Sequence, residues 1–314
     1  MIKFGVYLPF YSFGFNCSRY RSFEILKEVV LRCEQLGYHS VWLDDHVMYG
    51  DKPILECWTI LSALSTLTRK IRLGTLVLCN QFRSPALLAK MAATLDVISD
   101  GRLEFGIGAG IQREEHEAYG FPFPNLRTRA EQLSEALEII KRMWTMEEST
   151  FNGLHFRINR AKCVPKPIQK PHPPVIIGGV SKSILEVTAK YADRFDWGPL
   201  SVDQYERKLS LLETYCRKVG RNLECIEKSC WVRGAIYLAS DKQELKQKIC
   251  AWKPENVPLD VFNKMNFVGT PDDLINEMQP YLDMGVTFFM LYFGDLPTGE
   301  SLKIFAETVL RELS

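Results

Sequence analysis

Residues 71–107 read IRLGTLVLCNQFRSPALLAKMAATLDVISDGRLEFGI, and this stretch decides the fold. Residues 71–79 are apolar and rich in β-forming side chains, which predicts a buried strand. Residues 85–98 carry apolar side chains at helical spacing, between an Arg-Ser-Pro step and the Asp100-Gly101 pair, so we expect a helix there. Residues 103–107 form a further short apolar run. A strand, a helix and a second buried strand in this order predict a parallel β-α-β unit.

The same alternation extends to both sides of this stretch. Further strands are predicted over residues 2–9, 40–43, 175–177, 195–198, 231–239 and 286–293. Helices are predicted over residues 23–36, 55–68, 128–144, 182–192, 202–219, from 241 onward, 271–284 after the capping Thr270, and 302–313. Eight such pairs in 314 residues predict an α/β fold, a single (β/α)8 barrel, with a doubly wound open sheet as the rival architecture.

The whole chain, 1–314, is accordingly interpreted as one barrel domain. Insertions at the C-terminal face are expected at about 111–126, 146–170 and 251–267. The second contains a Phe-Asn-Gly-Leu-His-Phe pattern that suggests a small hairpin, and the third is rich in Pro, Asn and Trp and predicts irregular structure. The third strand is longer than a barrel needs, so it either contains a bulge near the pocket or is simply long.

Composition gives no reason to expect a nucleic-acid-binding, membrane, zinc-binding or secreted protein. A formal net charge of +1 gives no overall electrostatic reason to expect a nucleic acid or a membrane as partner. Nine cysteines without a zinc-binding spacing are expected to be reduced thiols buried as small apolar groups. The N-terminal residues look like a strand and not like a signal peptide, and no apolar run approaches the length of a membrane helix. The sequence therefore predicts a cytoplasmic protein.

In a barrel, functional residues follow the carboxyl ends of the strands. The second strand ends in Asp44-Asp45-His46, whose acids and imidazole could orient a substrate or move a proton, or could merely cap the next helix. No metal site is expected, because His116 is the only other histidine near the carboxyl end of a predicted strand in the first half of the chain.

Glycines mark two further strand ends. Gly108-Ala109-Gly110 follows the fourth strand, where small residues would let a flat ring or a phosphate approach the backbone. Gly178-Gly179 and Ser181 lie between a strand and a helix, and such a turn either binds an anion or only tightens the chain reversal. Motifs for ATP-driven phosphoryl transfer and for serine acyl transfer are absent from the sequence. These patterns together indicate a barrel that holds a flat cofactor with a phosphate, and Arg129 or Lys182 could bind this phosphate.

The sequence resembles the bacterial luciferase-like flavin and deazaflavin oxidoreductases over essentially its whole length, and most closely the branch that depends on coenzyme F420. The motifs that carry the resemblance are 42–46 (WLDDH), 71–75 (IRLGT), 83–90 (RSPALLAK), 93–103 (ATLDVISDGRL), 106–110 (GIGAG), 119–124 (YGFPFP), 170–174 (KPHPP), 268–271 (VGTP) and 291–297 (LYFGDLP).

The resemblance implies a deazaflavin or flavin across the strand ends, with its phosphate near Gly178-Gly179. A residue matching Asp45 contacts the ring in those relatives, and His46 lies beside the reactive face. Their third-strand bulge contains a cis peptide bond, which would fall at Leu76-Val77 and would press on the back of the ring. The expected cofactor-binding residues are Asp45, His46, Leu76, Val77, Cys79, Gly108, Ala109, Gly110, Arg129, Gly178, Gly179 and Ser181, and the expected catalytic residues are His46 and Asp45.

Three functions follow from the resemblance. The first is an F420-dependent oxidoreductase that transfers a hydride between the deazaflavin and a small organic substrate, with His46 handling a proton. The second is a monooxygenase that uses reduced FMN and oxygen, and the third is a non-catalytic flavin-binding protein. Ile111 and Gly50 stand where relatives that oxidise sugar phosphates or alcohols have Glu and Trp, and Tyr7 and Pro9 stand nearest to a first-strand Glu of the methylene-tetrahydromethanopterin reductases. The resemblance also implies a homodimer formed through helices on one side of the barrel.

Overall fold

The computed structural model describes residues 1–9, 11 and 21–313. Strands and helices alternate along this part of the chain. The strands are β1 (Lys3–Tyr7), β2 (Ser40–Leu43), β3 (Arg72–Thr75), β4 (Leu78–Cys79), β5 (Leu103–Gly108), β6 (Ser149–Asn152), β7 (Arg157–Ala161), β8 (Val175–Gly178), β9 (Arg194–Asp196), β10 (Ser229–Trp231), β11 (Ile236–Leu238), β12 (Phe267–Gly269) and β13 (Phe288–Leu291).

The helices mostly follow the strands. They are α1 (Arg21–Gln35), α2 (Cys57–Leu67), α3 (Pro85–Ile98), α4 (Arg113–Ala118), α5 (Leu126–Thr145), α6 (Lys182–Tyr191), α7 (Val202–Lys218), α8 (Lys242–Trp252), α9 (Leu259–Met265), α10 (Pro271–Asp283), α11 (Glu300–Phe305) and α12 (Arg311–Leu313), with a π-helical turn over Ala306–Leu310. The parallel strands β1, β2, β3, β5, β8, β9, β10 and β13 with their helices form a (β/α)8 barrel, as the sequence predicts.

The chain packs as two compact units. The first comprises Met1–Trp42, Trp197–Arg207 and Glu227–Ser314. Its barrel strands lie in the order β10, β13, β1, β2, with Gly5 of β1 opposite Met290 on one side and Ser40 on the other. Large aromatic side chains fill its interior, and the Phe4 and Phe305 rings meet edge to face at 5.0 Å.

The second unit comprises Leu43–Asp196 and Lys208–Ile226. Its barrel strands lie in the order β3, β5, β8, β9, and β4 also pairs with β5. Every residue of β5 is buried, because helices cover one side of the strand and neighbouring side chains fill the other. Trp144 of α5 packs edge to face on Phe105 at 5.1 Å and donates a hydrogen bond to the Ala89 carbonyl at 2.9 Å. The antiparallel hairpin β6–β7 confirms the prediction for residues 146–170.

Two predicted strands differ from the structure. The third is divided into β3 and β4, so the bulge interpretation is the right one. The predicted seventh strand, 231–239, is wrong in its bounds: the barrel strand is β10, and β11 pairs with β12 in a separate parallel sheet. Gly234 lies between β10 and β11, and a β-carbon there would overlap the carbonyl of Met265, so this close approach requires glycine. The third insertion is also less irregular than predicted, since it contains α9.

The cysteines follow the expectation only in part. All eight described cysteines are free thiols, and six of them are buried. Cys225 and Cys250 are exposed, which corrects the prediction that the cysteines act as buried apolar groups. Cys225 lies in a short surface turn and Cys250 on α8, a helix without buried residues. Cys17 lies outside the described residues. No helix in the described ranges combines the length and the apolar character needed to cross a membrane.

Candidate active site

Asp45 follows β2 and joins two other segments of the second unit. Its Oδ2 atom accepts a hydrogen bond from the backbone N–H of Cys79 at 2.9 Å. Arg83 binds the same carboxylate with both terminal nitrogens, at 2.7 and 2.9 Å, and also donates to Glu56 at 2.5 Å. Burial lowers the pKa of Arg83, but the hydrogen bonds and charges of Asp45 and Glu56 outweigh it and raise that pKa. Asp45 is 4% exposed, and its bonds to Cys79 and Arg83 hold in place residues 80–84, which follow β4 and are called the β4 loop here.

Glu56 is the third charged residue in this hydrogen-bonded group, after Asp45 and Arg83. It is the N-cap of α2, where its carboxylate accepts the backbone N–H groups of Trp58 and Thr59. Burial raises the pKa of Glu56, but its hydrogen bonds to Thr59, Trp58 and Arg83 outweigh this and lower it. The start of α2 is thereby tied through Arg83 to Asp45.

His46, the other predicted catalytic residue, faces a buried carboxylate. Its Nδ1 atom lies 3.1 and 3.2 Å from the two carboxylate oxygens of Glu115, and Oε2 also accepts a hydrogen bond from the backbone N–H of Val47. Burial lowers the pKa of His46, but the Glu115 hydrogen bond and charge, together with the charges of Asp44 and Asp45, raise it above its usual value. The Glu115 side chain is only 3% exposed, whereas that of His46 is 17% exposed. The arrangement fixes the imidazole and favours its protonated form.

Cys79 lies beside a second histidine. Its Sγ is 3.3 Å from Nε2 of His116 and 3.3 Å from Oε1 of Gln81. Because His116 Nδ1 lies 2.6 Å from the carbonyl oxygen of Gln112, Nδ1 carries the proton and Nε2 is an acceptor, so the single S–H proton of Cys79 has two acceptors in reach, Nε2 and Gln81 Oε1. Burial raises the pKa of Cys79 to about 12, so this residue is a neutral thiol near pH 7. His116 itself is fully buried.

The peptide bond between Leu76 and Val77 is cis, as the resemblance implies. The side chain of Val77 occupies the space beside two of the predicted glycines. A β-carbon at Gly108 or at Gly178 would lie 2.8 Å from Val77 Cγ2, closer than carbon atoms approach one another. Both strand ends must therefore lack side chains for Val77 to occupy this position.

Arg129 forms its hydrogen bonds with the loop that follows β5. Its guanidinium donates to the carbonyls of Ala109 at 3.0 Å, Pro124 at 2.5 Å and Gly110 at 3.5 Å, and lies 3.8 Å from the centre of the Phe123 ring. Burial lowers its pKa. These contacts stabilise the predicted Ala109-Gly110 backbone and occupy the nitrogens that Arg129 would offer to a phosphate.

The glycine turn after β8 carries the donors that a phosphate requires. Gly179 has a φ of +117°, a conformation that favours glycine, and Ser181 caps α6. Lys208 of α7 donates to the carbonyl of Val180 at 2.9 Å, which places an ammonium group at this turn. A helix N-terminus, a hydroxyl and an ammonium group form a donor set suited to an anion, so the turn fits a cofactor that carries a phosphate. Of the two predicted basic groups, Lys182 is the first residue of α6 and Arg129 lies elsewhere.

Sequence reasoning missed Glu115 and Lys208 and did not assign a role to Arg83. Glu115 lies 69 residues beyond His46, and Lys208 lies 28 residues beyond Val180. Only the fold brings these pairs together. The one available signal was the position of Glu115 shortly after the fourth-strand glycines.

The luciferase-like monooxygenase family model matches residues 2–254. An F420-dependent glucose-6-phosphate dehydrogenase of Amycolatopsis mediterranei is 25% identical, over 92% of this chain and 94% of that protein. The pyrimidine monooxygenase RutA of Variovorax paradoxus is 30% identical, over 70% of this chain and 63% of that protein. The solved structure of an F420-dependent secondary alcohol dehydrogenase in complex with an F420-acetone adduct has a TM-score of 0.78 and 19% identity, covering 100% of this chain and 99% of that one. On the extent of the family match, the chain belongs to the luciferase-like monooxygenase family.

Proposed function

We propose that the protein is an F420-dependent oxidoreductase that transfers a hydride between the deazaflavin and a small organic substrate. The observation that carries the proposal is the buried His46–Glu115 pair, a fixed proton-handling group at the carboxyl end of a barrel strand. Support for the cofactor comes from the F420-dependent relative that aligns over 92% of the chain. The phosphate-binding donors around Gly179 and Lys208 are consistent with it.

Coenzyme F420, when bound, supplies a hydride donor or acceptor. The residues of the chain would position the cofactor and transfer a proton. Glu115 holds Nδ1 of His46, so the proton that His46 gives or takes is on Nε2. Asp45 and Arg83 hold the β4 loop against which the ring would lie, and Ser181 with Lys208 would hold the phosphate.

This chain differs from the glucose-6-phosphate dehydrogenase relatives at two positions that bear on the substrate. Ile111, which stands where such relatives have Glu, is 79% exposed, and a β-carbon at Gly50, where they have Trp, would have no neighbour within 4 Å. Glu115, four residues beyond Ile111, supplies a carboxylate to His46 instead. We therefore propose a substrate other than a sugar phosphate.

A second candidate function is an FMN-dependent monooxygenase. The observation that favours it is the 30% identity with the pyrimidine monooxygenase RutA. Both cofactors carry a flat ring and a phosphate, so the donors at the glycine turn would serve either one.

We also propose a homodimer. Exposed apolar side chains on α2 and α3 support an interface there: Leu67 is 43%, Leu87 55%, Val97 37% and Ile98 50% exposed.

The decisive experiment is a titration of the purified protein with F420 and with FMN, followed by turnover measurements with the reduced form of the cofactor that binds. We expect tight binding of F420, and a Lys208→Gln variant should bind either phosphate-bearing cofactor roughly tenfold more weakly. Lys246→Gln, on the exposed side of α8, is the control. Exclusive binding of FMN would overturn the F420 proposal in favour of the second candidate.

A further inference from the structure

A groove of about 740 Å³ lies on the outer side of the second unit, among residues of α5, α6 and α7. Four of its lining side chains are cationic, namely Arg127, Lys182, Lys190 and Lys218, whereas two are carboxylates, Glu131 and Glu186. The proposed hydride transfer uses none of these residues. Their excess of positive charge favours an anionic occupant.

The three lysines of the groove are available for such an occupant. Arg127 lies 3.3 Å from Glu131, so these two charges largely satisfy each other. Across the described residues, Lys182, Lys190 and Lys218 have no carboxylate partner at ion-pair distance. Lys218 instead lies 5.1 Å from the centre of the Tyr215 ring, and Lys190 lies 4.8 Å from that of Tyr191.

The groove begins at the glycine turn after β8. Lys182 and Ser183 are the first residues of α6, and the Ser183 hydroxyl lies 3.3 Å from that of Ser181. Lys190 is eight residues farther along the same helix, so it lies on the same stripe about 12 Å from Lys182. An anionic chain that starts at the turn and runs along α6 would pass both ammonium groups.

We propose that this groove binds the oligo-γ-glutamate tail of coenzyme F420. The inference rests on the proposed F420-dependent function. In F420 the phosphate is followed by a lactyl group and γ-linked glutamates, whereas FMN ends at its phosphate. An extended γ-glutamyl unit spans roughly 6 Å, so two units match the separation of Lys182 and Lys190. The groove would thus bind the part of F420 that distinguishes it from FMN.

The test compares the wild type with a triple variant, Lys182→Gln, Lys190→Gln and Lys218→Gln. A control variant changes three exposed lysines outside the groove, Lys162→Gln, Lys246→Gln and Lys264→Gln. Binding is measured for three probes, F420 with several glutamates, FMN and γ-linked tetraglutamate, by changes in intrinsic or cofactor fluorescence. We expect the triple variant to bind F420 roughly five- to tenfold more weakly at low salt, because exposed ion pairs contribute modestly and are screened. FMN binding should change much less than F420 binding, because of the three lysines only Lys182 lies at the turn proposed to hold the phosphate, and the control variant should behave as the wild type.

The tetraglutamate arm keeps this inference separate from the cofactor proposal. If the protein binds tetraglutamate in a lysine-dependent way but not F420, the proposed cofactor is wrong and the groove still takes an oligocarboxylate. If the triple variant binds F420 and tetraglutamate as tightly as the wild type, the groove inference is overturned and the cofactor proposal stands. If the triple substitution changes only the sedimentation coefficient of the protein and not its ligand binding, the groove inference is overturned as well. The groove would then be assigned to contact with a second copy of the chain.

Discussion

The substitution Glu115→Gln tests the assignment of His46 as a proton-handling group. Glutamine keeps the volume of the side chain and can still accept hydrogen bonds from His46 Nδ1 and from the backbone N–H of Val47. It removes the negative charge that raises the pKa of His46, whereas the burial that lowers this pKa remains. The pKa of His46 should therefore be lower in the variant than in the wild type.

The size of the effect on stability depends on pH. The wild-type pKa of His46 is raised on folding, so the stabilisation by its charge is complete below the unfolded pKa of about 6.5 and is lost as the pH rises through the folded value. A hydrogen bond to a charged group contributes about 1.5–3 kcal/mol, and a neutral one about 1 kcal/mol. Both residues are largely buried, so Glu115→Gln should cost about 1.5–2 kcal/mol of unfolding free energy at pH 6 and about 0.5–1 kcal/mol less at pH 8.

Two measurements check this prediction. The first is an NMR titration of the histidine rings, with the His46 signal assigned from a His46→Asn variant. The second is urea unfolding at pH 6 and at pH 8. Glu114→Gln, at the exposed neighbouring position, serves as the control and should change neither result. An unaltered His46 titration, or an equal loss of stability at the two pH values, would refute the reasoning.

Three further substitutions probe other features of the site and the proposed interface. Gly178→Ala brings a β-carbon to 2.8 Å from Val77, so we expect a loss of about 1–3 kcal/mol in thermal or urea unfolding; an unchanged stability would show that the strand end can move. Arg83→Ala removes the ion-pair partner of the buried Asp45 carboxylate, which keeps the hydrogen bond from the Cys79 N–H, and should cost about 3–5 kcal/mol in urea unfolding, whereas a loss below about 1 kcal/mol would argue against a buried ion pair. Leu87→Glu places a charge on the proposed dimer interface at a position 55% exposed in the single chain, so sedimentation should shift to the monomer while the unfolding transition is retained; a persistent dimer would place the interface elsewhere.

The fold was largely predictable because its strands are continuous apolar runs and its helices keep a regular spacing. Residues 103–107 lie entirely within β5, and 85–98 agree with α3. The error at 231–239 has a physical origin. That segment is apolar on both sides of Arg233-Gly234, and local pattern alone does not show that its second half pairs with β12 and not with a barrel strand.

The sequence indicates individual residues at the strand ends but not how they pair. Asp45 and His46 could be found because they follow a strand end. Their partners Arg83 and Glu115 lie 38 and 69 residues farther along the chain, and a pairing over such a separation leaves no local periodicity to detect. Likewise, the sequence could not show that Arg129 is used on backbone carbonyls while Lys208 reaches the glycine turn.

The pairing of the strand-end carboxylates has a kinetic consequence for any anion that enters the site. Arg83 is shared between Asp45 and Glu56, and protonated His46 neutralises Glu115, so the charge of His46 reduces the repulsion that an approaching anion meets from these acids. Arg83 stays charged at every relevant pH, but His46 does not. As the pH rises through the pKa of His46, the negative charge of Glu115 is no longer compensated, and the association rate constant of an anionic ligand falls while the shape of the site stays the same.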